Sequence, residues 1–271
     1  MGKRRREVLI DPPEDAAAAS SEAEEPDDDA TDAARYPSVI RRSTHKKKKV
    51  LVVCSRGVTS SFIELMEDLI KLMPHARKDP KFDKRSPLSE LVEVAELAGC
   101  AACMYFEARK MKDLYMWVGA VRTNGPCAKF LLQQVRPMRD IRLTGNCLMG
   151  SRPILSFDGG FESAPHLRVL KEVLTFVFAP PKGHPLSKPF HDHVLAFSWV
   201  EGRIIVRHYQ VVPPLHDAKT EGNSLVEIGP RFALVPIRIM AGAFSGAPHG
   251  GPGSVFTSPP AHRPPFRREL S

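Results

Sequence analysis

The chain has 271 residues, 42% hydrophobic and 26% charged, enough for one large domain or two smaller ones with a real core. Residues 1–49 carry 11 basic and 11 acidic side chains, so the formal charge of +8 belongs wholly to the remainder, and that favours a polyanionic partner such as nucleic acid or an anionic membrane surface. No apolar run approaches the ~20 residues that cross a bilayer, no apolar segment behind Met1–Arg6 makes a secretory signal, and Arg6 stands where myristoylation needs Ser or Thr.

Residues 1–47 read as a disordered tail. Ala, Asp and Glu dominate from Glu14 to Asp32, with too little apolar surface to offset the entropy of ordering. Basic clusters bracket this run, Lys3-Arg4-Arg5-Arg6 before it and Arg41-Arg42 and Lys46-Lys47-Lys48-Lys49 after it; they suit nuclear import or nucleic-acid contact, or else are solvated charge. Val50-Leu51-Val52-Val53-Cys54 is a continuous apolar run, expected of a strand buried on both faces. A turn from Ser55 to Ser60 follows, then a helix in which Phe62, Leu65, Met66, Leu69, Ile70 and Met73 recur at helical spacing until Pro74. This corner lacks Gly-x-Gly-x-x-Gly and Gly-x-x-x-x-Gly-Lys-Ser/Thr, so it predicts an N-capped helix and not a nucleotide site.

His75 to Arg85 reads as a basic connector. Ser86-Pro87 signals a second helix with Leu88, Leu91, Val92, Ala95 and Leu97 along one side and Ala98-Gly99 at its end. Strands are predicted from Ala102 to Glu107, from Asp113 to Val118 and from Ala128 to Val135. Thr144 to Pro153, punctuated by glycines and a proline, looks like a joint between two halves. Beyond it Ile154–Phe157 is strand-like, and Pro165–Phe178 predicts a helix with Leu167, Leu170, Val173, Leu174 and Val177 on its inner stripe.

Glu201-Gly202 between two β-branched runs predicts a hairpin. On its second arm Arg203, Ile205, Arg207 and Tyr209 alternate with Ile204, Val206 and His208, so one face would hold two guanidinium groups and a phenol while the other turns inward. Ser224 to Ile239 supplies one or two closing strands, and from Gly242 onward Gly, Pro, Ser and Ala predict a disordered end. Strand then helix recurs at Val50 to Met73 and Ile154 to Phe178, which suggests an internal duplication in an α/β or α+β fold.

Enzymatic chemistry finds little footing. Cys100-Ala-Ala-Cys103 has zinc-ligand spacing but no second pair, since Cys127 and Cys147 stand apart. His191, Asp192 and His193 read better as a strand entry in which Asp192 caps backbone N–H groups and His193 packs or hydrogen-bonds; on a strand the aspartate would point away from the two histidines. There is no Gly-x-Ser-x-Gly elbow. The five cysteines, an odd number in mostly apolar settings, suit a reducing interior. No metal, cofactor or small-molecule substrate is expected. The stronger signal is cationic: Lys46, Lys47, Lys48, Lys49, Arg56, Arg109, Lys110, Lys112, Lys129, Arg152, Lys182, Lys188, Arg203 and Arg207, several beside Tyr, Trp or Phe, the mixture that gives phosphate contact with base stacking.

Six motifs then converge. Leu51–Gly57, Met104–Lys110, Asp113–Trp117, Thr144–Pro153, Ser187–Val194 and Leu225–Phe232 resemble, in order, the motifs of the Brix domain across roughly residues 48 to 246. The resemblance implies an α/β (α+β) fold of two similar halves, 48–150 and 151–246, each like the anticodon-binding domain of class II aminoacyl-tRNA synthetases, followed by a tail from 247 to 271. It also implies a non-enzymatic, nucleolar factor that binds pre-rRNA and other assembly factors and ribosomal proteins as the large (60S) subunit matures. Tyr209, on the same hairpin face as Arg203 and Arg207, and Arg231 complete the expected RNA-binding set. The chain departs from the family pattern at Ser61 and Ile63, where basic residues are usual, at Ile205, where tryptophan is usual, and after Phe244-Ser245-Gly246, where contacts of a charged extension are expected to be lost. A different reading makes the basic surface a dock for acidic segments of partner proteins.

Overall fold

The computed structural model describes residues 48–79, 82–83, 86–121, 125–141, 143–181, 184–213 and 223–244. The expected tails, with Lys46, Lys47 and Lys182, lie outside these residues. The chain folds as an α/β structure around one mixed sheet. Strand β1 (Val50–Cys54) is buried throughout, as its unbroken apolar run predicts. Val50, Val52 and Cys54 enter one core cluster and Leu51 and Val53 another, on the opposite face. Helix α1 (Ser60–Leu72) follows, then β2 (Ala76–Lys78), α2 (Leu88–Leu97), β3 (Ala102–Arg109), β4 (Asp113–Ala120) and β5 (Cys127–Arg136). The second series is β6 (Pro153–Phe157), a 3-10 turn, α3 (Pro165–Phe178), β7 (His193–Val200), β8 (Arg203–Val212), β9 (Ser224–Glu227) and β10 (Arg231–Met240).

The sheet order is β2-β1-β3-β4-β5-β10-β8-β7-β6, with β9 paired to β8. Each half lays two parallel strands, β1 with β3 and β6 with β7, around a helical crossover and continues antiparallel. The halves join where β5 and β10 pair antiparallel. Helices α1 and α3 share the face that carries Met104, Phe106, Phe130, Phe197, Val206 and Leu234. Helix α3 meets both β3 and β6, which are six strand positions apart. On a flat sheet that separation is roughly 29 Å, whereas a 14-residue helix is only about 21 Å long, so the sheet curls around its helices. Phe157 stacks on Phe197 at 4.7 Å and meets Phe161 edge-on at 5.1 Å inside that curve. Each such ring contributes about 1.5–3 kcal/mol by burial.

The second helix differs from its prediction at both ends. Pro87 has extended backbone and precedes the helix, which starts at Leu88. Leu97, expected on the inner side, is 90% exposed: Leu91 and Ala95 keep the apolar stripe, and a residue two positions beyond Ala95 has rotated off it. The connector before it contains β2, whose Ala76, Arg77 and Lys78 pair with Val50, Leu51 and Val52.

Candidate nucleic-acid interface

Alternation along the strands decides which side chains reach the outer face, opposite α1 and α3. On β3, Met104 and Phe106 turn inward, so Tyr105, Glu107 and Arg109 face out; on β4, Met116 and Val118 turn inward, so Tyr115 and Trp117 face out. Register brings them together, because Glu107 lies opposite Tyr115, and Trp117 opposite Lys129 of β5. A bulge in β10 after Pro236 then sets Arg238 beside Lys129.

The result is a charge cluster built on two rings. Lys129 Nζ lies 4.3 Å from the Trp117 ring and 4.7 Å from that of Tyr115, and the Arg109 guanidinium is 5.1 Å from Tyr115. Glu107 accepts from Arg109 Nε at 2.9 Å, Trp117 Nε1 at 3.0 Å and Lys129 Nζ at 3.4 Å. Burial works to raise the Glu107 carboxyl, but those hydrogen bonds and the two cations outweigh it and hold it below the usual range. Burial pulls the Lys129 ammonium down, and the Glu107 charge opposes that. Trp117 is only 7% exposed, so it fixes the lysine and offers no open ring for a base; Tyr115 is half-buried. Three cations against two carboxylates, Glu107 and the Asp113 that lies opposite Arg109, leave this patch positive.

A second cluster sits on β8, β9 and β10. The expected inward set Ile204, Val206 and His208 is buried, while Arg203, Ile205, Arg207 and Tyr209 line the outer face. Glu227, directly opposite Tyr209, takes both Nε and Nη2 of Arg231 and lies 3.7 Å from Arg207 Nη1. The Arg231 hydrogen bonds hold the Glu227 carboxyl below its ordinary value. Arg207 is therefore the looser of the two guanidiniums. Positive φ at Glu201 and Gly202 closes the hairpin beside Arg203.

The remaining predicted cations scatter. Lys48 Nζ lies 3.7 Å from the Phe176 ring, on the helix side of the sheet. Arg56 and Lys110 are exposed in turns. Arg152 braces a loop, donating to Ser187 Oγ at 3.1 Å and to the Pro181 carbonyl at 3.2 Å; Lys188 is exposed nearby, its backbone N–H bound to the Gly150 carbonyl. Ile63, at one departure from the family pattern, packs partly buried against the core. Cys100 and Cys103 are buried in apolar surroundings, and burial pushes the Cys103 thiol well up. Asp192 does not point away from His193: it precedes the strand, where alternation does not apply, and its Oδ1 bonds His193 Nδ1 at 2.7 Å while Oδ2 takes Leu148 N–H at 2.6 Å.

Sequence reasoning missed Glu107, Glu227 and Arg238. The first was within reach, since the tight turn after Arg109 fixes the β3–β4 register and places Glu107 against Tyr115.

A mixed sheet with α1 and α3 on one curled face, and α2 beside paired cations on the other, defines an α/β domain with a positive outer surface, and the chain belongs to the Brix domain family. The family model described as "Brix domain" matches residues 55–238. Among similar proteins are "Ribosome biogenesis protein BRX1 homolog" of Homo sapiens, 42% identical over 221 residues, covering 82% of this chain and 59% of that protein, and "Ribosome biogenesis protein BRX1" of Saccharomyces cerevisiae, 46% identical over 204 residues, covering 72% and 69%. The chain thus spans about three fifths of the length of the vertebrate relatives it matches. The crystal structure titled "probable ribosomal biogenesis protein" from Aeropyrum pernix K1 aligns with a TM-score of 0.47 at 16% identity, covering 69% of this chain and 96% of that one.

Proposed function

We propose that this chain is a non-enzymatic ribosome biogenesis factor that binds pre-rRNA of the large (60S) subunit in the nucleolus, together with other assembly factors and ribosomal proteins. The names carried by its relatives support the ribosomal role. The observation that carries the RNA reading is the outer sheet face, where Arg109, Lys129, Arg238, Arg203, Arg207 and Arg231 are spread over strands of both halves, 48–150 and 151–246, and where Tyr115, Trp117, Glu107 and Glu227 hold Arg109, Lys129, Arg207 and Arg231 in place. Clamped cations with little open ring surface suit phosphate contact along a folded RNA more than stacking of single bases. Lys46, Lys47, Lys48, Lys49, Arg56, Lys110, Arg152, Lys182 and Lys188 are proposed as further RNA contacts. Among the described residues no helix is long and apolar enough to cross a membrane.

A second reading has its own observation. Met149, Leu186 and Phe190 are 73%, 69% and 59% exposed on two loops joined by backbone hydrogen bonds, which suits docking of a protein. The basic face would then receive acidic partner segments. Filter binding to rRNA fragments across a salt series separates the readings. Phosphate contacts give a steep linear fall of log K with log salt, about 0.7–0.9 per contact, and a flat plot would overturn the RNA reading.

A further inference from the structure

Beneath the joint between the two halves lies a cluster that the RNA-binding reading leaves unused. Cys147 Sγ and one ring nitrogen each of His193 and His208 lie within 4.8 Å of one another. The rings meet edge to face with centroids 5.0 Å apart, and they are 2% and 0% exposed. Each has one nitrogen committed. His208 Nδ1 donates to the Gly229 carbonyl at 2.7 Å, and His193 Nδ1 donates to Asp192 Oδ1 at 2.7 Å. A neutral ring that donates from Nδ1 carries its lone pair on Nε2. Both Nε2 atoms are buried without a hydrogen-bond partner among the described residues.

That is the arrangement a metal-binding histidine adopts, with one nitrogen steered by a carboxylate or carbonyl and the other presented bare. The loop bearing Cys147 is pinned on both sides, by Asn146 N–H to Gln210 Oε1 at 2.8 Å and by Leu148 N–H to Asp192 Oδ2. Both imidazoles also border a cavity of about 10 Å³ beside Met73 and Phe178, close to the space one water needs. We propose that Cys147, His193 and His208 bind a single Zn²⁺, completed by a water, which ties the inter-half joint to β7 and β8. One thiolate and two imidazoles form a set suited to zinc, and ligand atoms around it sit roughly 3.3–3.6 Å apart given bonds of ~2.0–2.3 Å. Reaching this needs a small closure, which the half-buried Cys147 can supply by turning its side chain.

The test uses the full chain purified without a histidine tag. Elemental analysis should give about one zinc per chain, and replacement by Co²⁺ should produce a thiolate-to-cobalt charge-transfer band with the intense visible bands of a tetrahedral site. Cys147→Ser should abolish the charge-transfer band. Asp192→Asn, which keeps an acceptor for Leu148 N–H and serves should the cysteine variant misfold, should weaken zinc binding about 10–100-fold. His191→Ala, at an exposed residue outside the set, should change neither. A folded wild-type chain with no stoichiometric zinc and no cobalt spectrum overturns the proposal, as does Asp192→Asn with wild-type affinity.

Discussion

Replacing Glu107 by Gln tests whether the outer-face cluster is held by its carboxylate. Glu107 is 8% exposed and accepts three donors, two of them cationic, and the Lys129 side chain is itself only 12% exposed. Breaking a fully buried pair costs about 3–5 kcal/mol. Here the Arg109 side chain is half exposed and screened, and Gln keeps one acceptor oxygen, which brings the expected loss to roughly 2–3 kcal/mol. For a domain of this size that lowers Tm by roughly 4–12 °C in a thermal melt. Acid supplies a second signature. The Glu107 carboxyl is held below its ordinary value in the fold, so its stabilisation is complete above the unfolded value near 4.5 and disappears as pH falls through the folded one. The gap between wild type and Glu107→Gln should therefore narrow progressively as pH falls below 4.5. A variant that melts within about 1 °C of wild type at neutral pH would refute the reasoning.

The double variant Arg203→Gln/Arg207→Gln should make the salt slope for rRNA shallower by about 1.4–1.8, with Tm nearly unchanged, as filter binding and a melt would record. Gly119→Ala would set a Cβ 2.3 Å from Cys127 Cβ and 2.7 Å from its Cα, prying β4 from β5; a loss of about 2 kcal/mol or more in urea unfolding is expected. Leu97→Glu should stay within about 0.5 kcal/mol of wild type in the same assay, because that leucine is solvent-exposed.

Local pattern carried much of the fold. Val50–Cys54 declared a doubly buried strand, Pro165–Phe178 gave a helix with its observed bounds, and Glu201-Gly202 set the hairpin whose alternation sorts Arg203, Arg207 and Tyr209 from Ile204, Val206 and His208. What escaped depends on distant chain. Ala76–Lys78 has no periodicity of its own and is a strand because β1 offers it an edge. The β5–β10 pairing that joins the halves has no local signature, so Arg238 could not be placed beside Lys129 beforehand. An aromatic ring beside basic residues suits base stacking, yet in the packed structure Trp117 is covered and serves the lysine. A likeness of each half to an anticodon-binding domain is what the family resemblance implies; the α/β fold itself rests on the observed strand topology.

The most direct test of the central claim is crosslinking of the tagged protein to RNA in cells, with the bound RNA sequenced. The account predicts discrete sites in large-subunit pre-rRNA that are lost on replacing Arg203 and Arg207. Copurification with pre-ribosomes without any rRNA site above background would contradict it and leave the basic face as a protein dock.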